Sequence, residues 1–211
     1  MFMGKYGIGV ILIFMILVIG IMKPRFLYPS NILNVLTQIS VNCLIAYGMC
    51  LCITTGGIDL SVGPQLALVS VLLGQFIVVR GMNIGLSVVL AVLAATVFGF
   101  VNGFLVAKFD MAAFVVTLAT QLVIRSIAQI ISDGQGMSMA SPAFKNIYSG
   151  TLAGIPYPII YMVVASIIMY IVMHWTKFGR YVFAVGGNVN AAIASGVNVF
   201  TLPPTAIAAF T

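Results

Sequence analysis

The chain has 211 residues, 62% of them hydrophobic and only 6% charged, with a mean hydropathy of +1.21. That apolar content lies outside the soluble globular range and marks an integral membrane protein. Nine Lys and Arg stand against three acidic residues, but the basic residues are scattered singly. They read as helix-flanking anchors, and no nucleic-acid-binding patch is formed.

At about 1.5 Å rise per residue, roughly 20 apolar residues cross the hydrocarbon layer. The sequence parses into six such segments. The first runs from Tyr6 to Met22. Lys5 precedes it, Lys23-Pro24-Arg25 follows, and no small-residue cleavage site is present, so a retained helix is expected rather than a removed signal.

The second segment, Ile32 to Thr55, carries Asn31, Asn34, Gln38 and Asn42 at helical spacing along its start. Cys43, Cys50 and Cys52 lie in the same segment without a partner at metal-ligand spacing, and the single His174 is remote. They read as packing residues, and no metal site is expected.

Between the second and third segments stands the block Gly56-Gly57-Ile58-Asp59-Leu60-Ser61-Val62-Gly63. A carboxylate near hydrocarbon costs a few kcal/mol even on lenient insertion scales, so it is expected to be buried in protein. Asp59 is expected to accept backbone N–H groups at the start of the helix beginning near Ser61 and Pro64, where an acid complements the helix dipole.

The third segment spans Pro64 to Val79 and the fourth Ile84 to Val106, the latter with Gly99 and Gly103 spaced for close helix packing. The fifth, Ala112 to Ile131, carries a second polar stripe of Thr117, Gln121, Arg125 and Gln129. Both stripes read either as hydrogen-bonding glue between helices or as the lining of a polar conduit. Arg125 favours the conduit, because a guanidinium in mid-segment is too costly to be kept for packing alone. None of the segments alternates as a barrel strand would.

Ser132 to Gly154 is expected to be an extramembrane loop, followed by the sixth segment, Pro156 to Met173, and a second polar stretch from His174 to Val199. By parity of crossings that second stretch shares a side with the N-terminus. The positive-inside rule does not orient the chain: Lys5, Lys108, Lys177 and Arg180 on one side balance Lys23, Arg25, Arg80 and Lys145 on the other.

Several blocks in order carry a resemblance. They are the GGIDLSVG block preceded by Asn31, Asn34, Gln38 and Ser40 and by Ala46-Tyr47-Gly48, then Asn102-Gly103, Phe114-Val115-Val116-Thr117-Leu118, Ile155-Pro156, Thr176-Lys177-Phe178-Gly179-Arg180, Ala184-Val185-Gly186-Gly187-Asn188, Ala191-Ala192 and Ser195-Gly196-Val197. Up to about Phe200 the chain resembles the permease subunit of bacterial ribose-type (monosaccharide) ABC importers. The resemblance implies an all-α polytopic protein of the cytoplasmic (inner) membrane, with about six transmembrane helices in one transmembrane domain over residues 1–211 and a cytoplasmic coupling loop over 174–200. It implies as partners a cytoplasmic ABC ATPase subunit, an extracytoplasmic sugar-binding protein and a second permease subunit, identical or different.

Within that frame Gly56, Gly57, Asp59, Leu60, Ser61 and Gly63 form the motif, and Asn34, Gln38, Asn42, Gln121 and Arg125 are candidate pathway residues. Thr176, Gly179, Arg180, Gly187, Asn188, Ala191, Ala192 and Gly196 are candidates for ATPase coupling, with Asn188 able to cap a short helix that stops at Gly196. The sequence holds no phosphate-binding loop, so ATP is expected on the partner ATPase and no cofactor on this chain. One His and three scattered Asp offer no nucleophile–base constellation, so no catalytic residue is expected.

The chain departs from the family pattern at Asn190, Ala113 and Ser126, where glutamate, proline and glycine are usual. Related permeases continue through further membrane helices, whereas this chain turns at Leu202-Pro203-Pro204 and stops at Thr211. The expectation is therefore a fragment or a truncated reading frame. A channel or ion-coupled carrier using Asp59 and Arg125 is the alternative, though no second copy of the GGIDLSVG break is found, as such a carrier would require.

Overall fold

The computed structural model describes residues 2–137 and 142–197. The Leu202-Pro203-Pro204 turn and the stretch from Asn198 to Phe200 lie outside the described residues. The described chain is helical, with one two-stranded ribbon.

Helix α1 spans Phe2–Met22, and a short 3-10 turn over Pro24–Leu27 leads into α2, Pro29–Thr54. Pro29 opens α2 because a first-turn proline gives up only an N–H that has no helical acceptor. After the GGIDLSVG turn, α3 runs over Val62–Gly74 and widens into a π-type turn at Gln75–Val79. Helix α4, Ile84–Phe109, is capped by Asn83, whose side chain accepts from the Gly85 N–H at 2.8 Å, and it ends at Asp110 in a left-handed conformation. Helix α5 covers Ala113–Ile131.

The stretch expected to be a loop between Ser132 and Gly154 instead contains helix α6, Pro142–Ser149, and strand β1, Thr151–Leu152, which pairs with β2, Ile155–Pro156. Ala153 and Gly154 both have positive φ, the geometry that closes a two-residue hairpin. Helix α7, Tyr157–Trp175, is the last long helix. Two short helices follow where the second polar stretch was expected: α8, Lys177–Gly187, and α9, Val189–Ala194. Both begin on a capping side chain.

Helix α2, the α3 segment with its π-type turn, α4, α5 and α7 are long and apolar enough to cross a membrane, and α1 adds a shorter apolar stretch over Gly7–Met22. Their ends fall within a few residues of the segments read from the sequence.

Two packing groups organise these helices. In one, α3 lies against α4 and α5 around Leu68, Ile124 and Ala128. Helix α4 turns Ser87, Ala91, Ala95, Gly99, Asn102 and Gly103 inward, a stripe of small residues that lets its neighbours approach closely. In the other, α2 packs on α7 and α8 around Leu51, Met173, Val182, Val185 and Ala192, and Tyr47 on α2 bonds Ser166 on α7 through their hydroxyls. The GGIDLSVG turn connects the two groups.

Candidate functional site

The turn between α2 and α3 is built by its glycines. Gly57 donates its N–H to the Cys52 carbonyl at 2.9 Å, closing the end of α2, and Gly56 reaches this geometry at φ +85°. A side chain is disfavoured in that region of φ/ψ space. A Cβ on Gly57 would lie 3.1 Å from Cys52 Sγ, so the second glycine is held by space. Gly63 has open surroundings and is exposed, and Leu60 is half-buried.

Beyond the glycines the chain places a compact group of buried polar side chains. Asp59, Ser61, Gln65, Asn102 and Thr117 are all at most 3% exposed. Asp59 Oδ1 accepts two bonds, from the Ser61 N–H at 2.8 Å and from Ser61 Oγ at 2.6 Å. Of the backbone N–H groups expected to reach Asp59 at the start of the helix, one does, that of Ser61, the residue before α3. Ser61 Oγ in turn accepts from Gln65 Nε2 at 2.8 Å and Asn102 Nδ2 at 3.0 Å. Thr117 Oγ1 on α5 lies 3.1 Å from the Ile58 carbonyl and 2.8 Å from the Ala113 carbonyl of α5, which share its one proton, so the turn is tied to α4 through Asn102 and more loosely to α5.

A hydroxyl has one proton and two lone pairs, and Ser61 Oγ uses all of them. Its proton goes to the carboxylate, so both amides must present N–H to it and turn their oxygens elsewhere. Three acceptors are left without a hydrogen-bond partner: Asp59 Oδ2, Gln65 Oε1 and Asn102 Oδ1.

The polar stripes are not part of this cluster, apart from Thr117. Asn34, Gln38 and Asn42 are exposed on α2, Arg125 and Gln129 are exposed on α5, and Gln121 is half-buried. Asp59 and Arg125 are not brought together: one is enclosed and the other lies on an outer face. Among the described residues no cluster of His, Cys, Asp or Glu could hold a metal ion.

The residues proposed from the sequence for coupling gather at the end of α7. Thr176 caps α8, its hydroxyl accepting from the Gly179 N–H at 3.3 Å, and Asn188 caps α9, accepting from the Ala191 N–H at 3.0 Å. Gly179 is buried, and a Cβ there would collide with the Met173 carbonyl oxygen; Gly186 lies as close to α2, where a Cβ would collide with the Thr54 carbonyl oxygen. Arg180, Gly187 and Ala191 are exposed, whereas Ala192 is only 3% exposed against the Leu51 cluster. Gly196 adopts φ +82° just beyond α9, the left-handed stop expected of it.

Sequence reasoning singled out Asp59 and Ser61, placed Thr117 in a stripe and noted Asn102 only as part of a block. It passed over Gln65. The signal available was its position four residues after Ser61, one helical turn, in a segment otherwise almost free of polar residues.

A model of the family described as branched-chain amino acid transport system, permease component, matches residues 31–209. The chain is 42% identical over 199 residues to the ribose import permease protein RbsC of Bacillus subtilis (strain 168), covering 93% of this chain and 62% of that protein. It is 32% identical to the ribose import permease of Escherichia coli (strain K12), covering 89% of this chain and 60% of that one. It is 33% identical to the D-allose transport system permease protein AlsC of the same strain, covering 94% and 61%. The chain thus spans about three fifths of the length of these relatives. No solved structure gives a significant match.

Proposed function

The chain belongs to the family of transport-system permease components that its residues 31–209 match, a multi-pass protein of the bacterial inner membrane, and on that premise we propose that it serves as the membrane-spanning subunit of an ATP-driven monosaccharide importer. The observation that carries this reading is the likeness, over about nine tenths of the chain, to permeases named for ribose and allose import. A pentose or a related hexose is the substrate class this favours.

In this reading a cytoplasmic ABC ATPase supplies the energy and an extracytoplasmic binding protein delivers the sugar. A second permease subunit completes the pathway. Helices α8 and α9 form the ATPase contact: both are short, capped at their starts, and follow directly on α7. They present Arg180, Gly187, Asn188 and Ala191 outward and are braced against α2 from behind. The exposed Asn34, Gln38, Asn42 and Arg125 need polar surroundings inside a bilayer, where an unpaired polar group costs several kcal/mol. A hydrated sugar path or a polar partner surface supplies them.

The test is gene deletion in the source bacterium with uptake of radiolabelled ribose, allose and galactose. Loss of ATP-dependent uptake of one of them, restored by the gene in trans, is the expected result. Unchanged uptake of all three would reject the assignment.

A further inference from the structure

A groove runs along the seam of α2 and α7. It is a cavity of about 190 Å³ lined by Leu44 and Tyr47 of α2 and by Ala165, Ile168, Met169 and Val172 of α7. Leu44 and Ile168 are exposed and form its open side. The one hydroxyl in the lining, that of Tyr47, is already bonded to Ser166. The groove therefore offers hydrocarbon contact and almost no hydrogen bonding, and a cavity of that kind stays dry. Its place along α7 sets its depth. Ala165 lies ten residues before Trp175, the last residue of the span, or about 15 Å, which is the hydrocarbon thickness of one leaflet. Ile168, Val172 and Trp175 follow at i, i+4 and i+7, so one stripe carries the lining down to the membrane surface. Trp175 is 75% exposed there.

The mouth of the groove is basic. Lys177 stands two residues beyond Trp175, so the two Cα atoms are within about 7.6 Å, and its side chain is exposed. Which flank of α8 adjoins the groove follows from an aromatic contact. Phe183 meets the His174 ring edge-on at 6.4 Å between centroids, on a face of α7 about 160° round from Val172. Lys177 and Tyr181 lie about 120° and 160° round α8 from Phe183 and are both exposed, so they take the flank on the groove's side. No acidic residue stands between Asp133 and Thr211, so no carboxylate neighbours Lys177 along α7 to α9.

We propose that the groove and its mouth form a site for one anionic phospholipid, with an acyl chain along Ala165, Ile168 and Val172, the glycerol beside Trp175 and the phosphate on Lys177. Depth, lining and charge agree on that occupant. The groove lies within one leaflet, where an acyl chain starts at the surface and runs inward. Tryptophan is a side chain that settles at headgroup level, and an uncompensated ammonium there favours a lipid of net negative charge over a zwitterionic one. Arg180 lies between the two flanks of α8, on its outward face, and is left to the ATPase contact. The site rests on α7 crossing the membrane and not on the sugar assignment.

Trp175 is the chain's one tryptophan and reports on the site directly. The purified chain is reconstituted into mixed vesicles of phosphatidylcholine and phosphatidylglycerol, and Trp175 emission is recorded with bromine on the acyl chains of one lipid or of the other at equal mole fraction. Brominated phosphatidylglycerol should quench with a relative affinity about fivefold higher, the factor that one basic residue supplies near an anionic surface. The preference should vanish in Lys177→Gln and largely survive in Arg180→Gln. Ala165→Phe, whose ring fills the groove, should weaken quenching by both lipids. Equal quenching of the unsubstituted protein would overturn the proposal, as would a preference unchanged in Lys177→Gln or lost equally in Arg180→Gln, the mark of general surface charge. Unchanged quenching in a folded Ala165→Phe would overturn it as well. So would an absence of quenching by either lipid, since a second copy or another subunit would then cover this side. Lys177 and Arg180 are exposed, so their variants decide the matter even where Ala165→Phe fails to fold.

Discussion

Asn102 donates to Ser61 across 41 residues of chain, and this one bond at 3.0 Å fastens the middle of α4 to the start of α3. Ser61 Oγ takes it on a lone pair while directing its own proton to Asp59. The one hydroxyl therefore joins the carboxylate to α4.

Ser61→Ala removes three side-chain hydrogen bonds and leaves two buried amide donors without an acceptor, while Asp59 Oδ1 keeps the residue 61 N–H. At about 1–3 kcal/mol for each buried group left unpaired, a loss of roughly 2 kcal/mol or more is expected. Ser70→Ala, an exposed residue bonded only to its own helix, should change stability by less than about 0.5 kcal/mol. Unfolding in detergent with graded denaturant would compare them, and equal losses would show that the Ser61 network contributes nothing special.

Asp59→Asn keeps the shape of the side chain while removing its charge and one of its acceptor oxygens. The amount of folded protein in the membrane should fall more steeply than transport per folded molecule. Quantitative immunoblotting paired with sugar uptake separates the two. Normal abundance without transport would instead make Asp59 a residue of the pathway.

Gly186→Ala drives a methyl onto the Thr54 carbonyl oxygen, a backbone atom at the end of α2 that cannot turn aside. Overpacking usually costs about 1–3 kcal/mol, and a clash with backbone belongs at or above the top of that range. Gly187→Ala, with nothing within 4 Å of its added methyl, is the matched control and should stay near neutral. Membrane abundance and Tm of the two variants test the claim.

Ala191→Cys should react with a maleimide applied from the cytoplasmic side of inverted vesicles and crosslink to the ATPase, whereas Ala192→Cys should be shielded in the folded protein. Reaction only from the outer face of intact cells would reverse the orientation. Equal reactivity at both positions would mean that α9 does not lie on the Leu51 cluster as described.

Gln38→Cys and Arg125→Cys should be modified by a water-soluble thiosulfonate in the assembled importer, since their side chains are exposed and polar. Val123→Cys, 52% exposed on the same helix but about 160° round it from Arg125, should resist if that side meets lipid. The reverse ranking would remove the stripes from the transport path.

The crossings were legible in the sequence because hydrophobic runs report directly on burial in lipid. The start of α9 was legible because Asn188 is a capping residue at a change of composition. The facing of helices was not. Asn102 and Gln65 sit on helices whose sequence shows where they cross the membrane but carries no record of which neighbour lies opposite, so the completion of Asp59's network needed tertiary structure. Likewise α8 was hidden in a stretch read only as polar, where Gly179 and Gly186 let backbone meet backbone at Met173 and Thr54. The ribbon after α6 was missed because two-residue strands leave no periodicity to read.

The tie between Ile58 and Thr117 also sets a schedule for biogenesis. These residues are 59 apart in the chain, and at about 5–20 residues per second the ribosome needs about 3–12 s to deliver the second after the first. For that interval the Asp59 turn has entered the insertion machinery without α5, and for the first part of it without Asn102. Release of α2 and α3 into lipid one at a time would expose a carboxylate that the later helices enclose, at a cost of a few kcal/mol. Release of α2 to α5 as a set would avoid that cost, and a ribosome stalled before Thr117 would hold the turn without one of its ties.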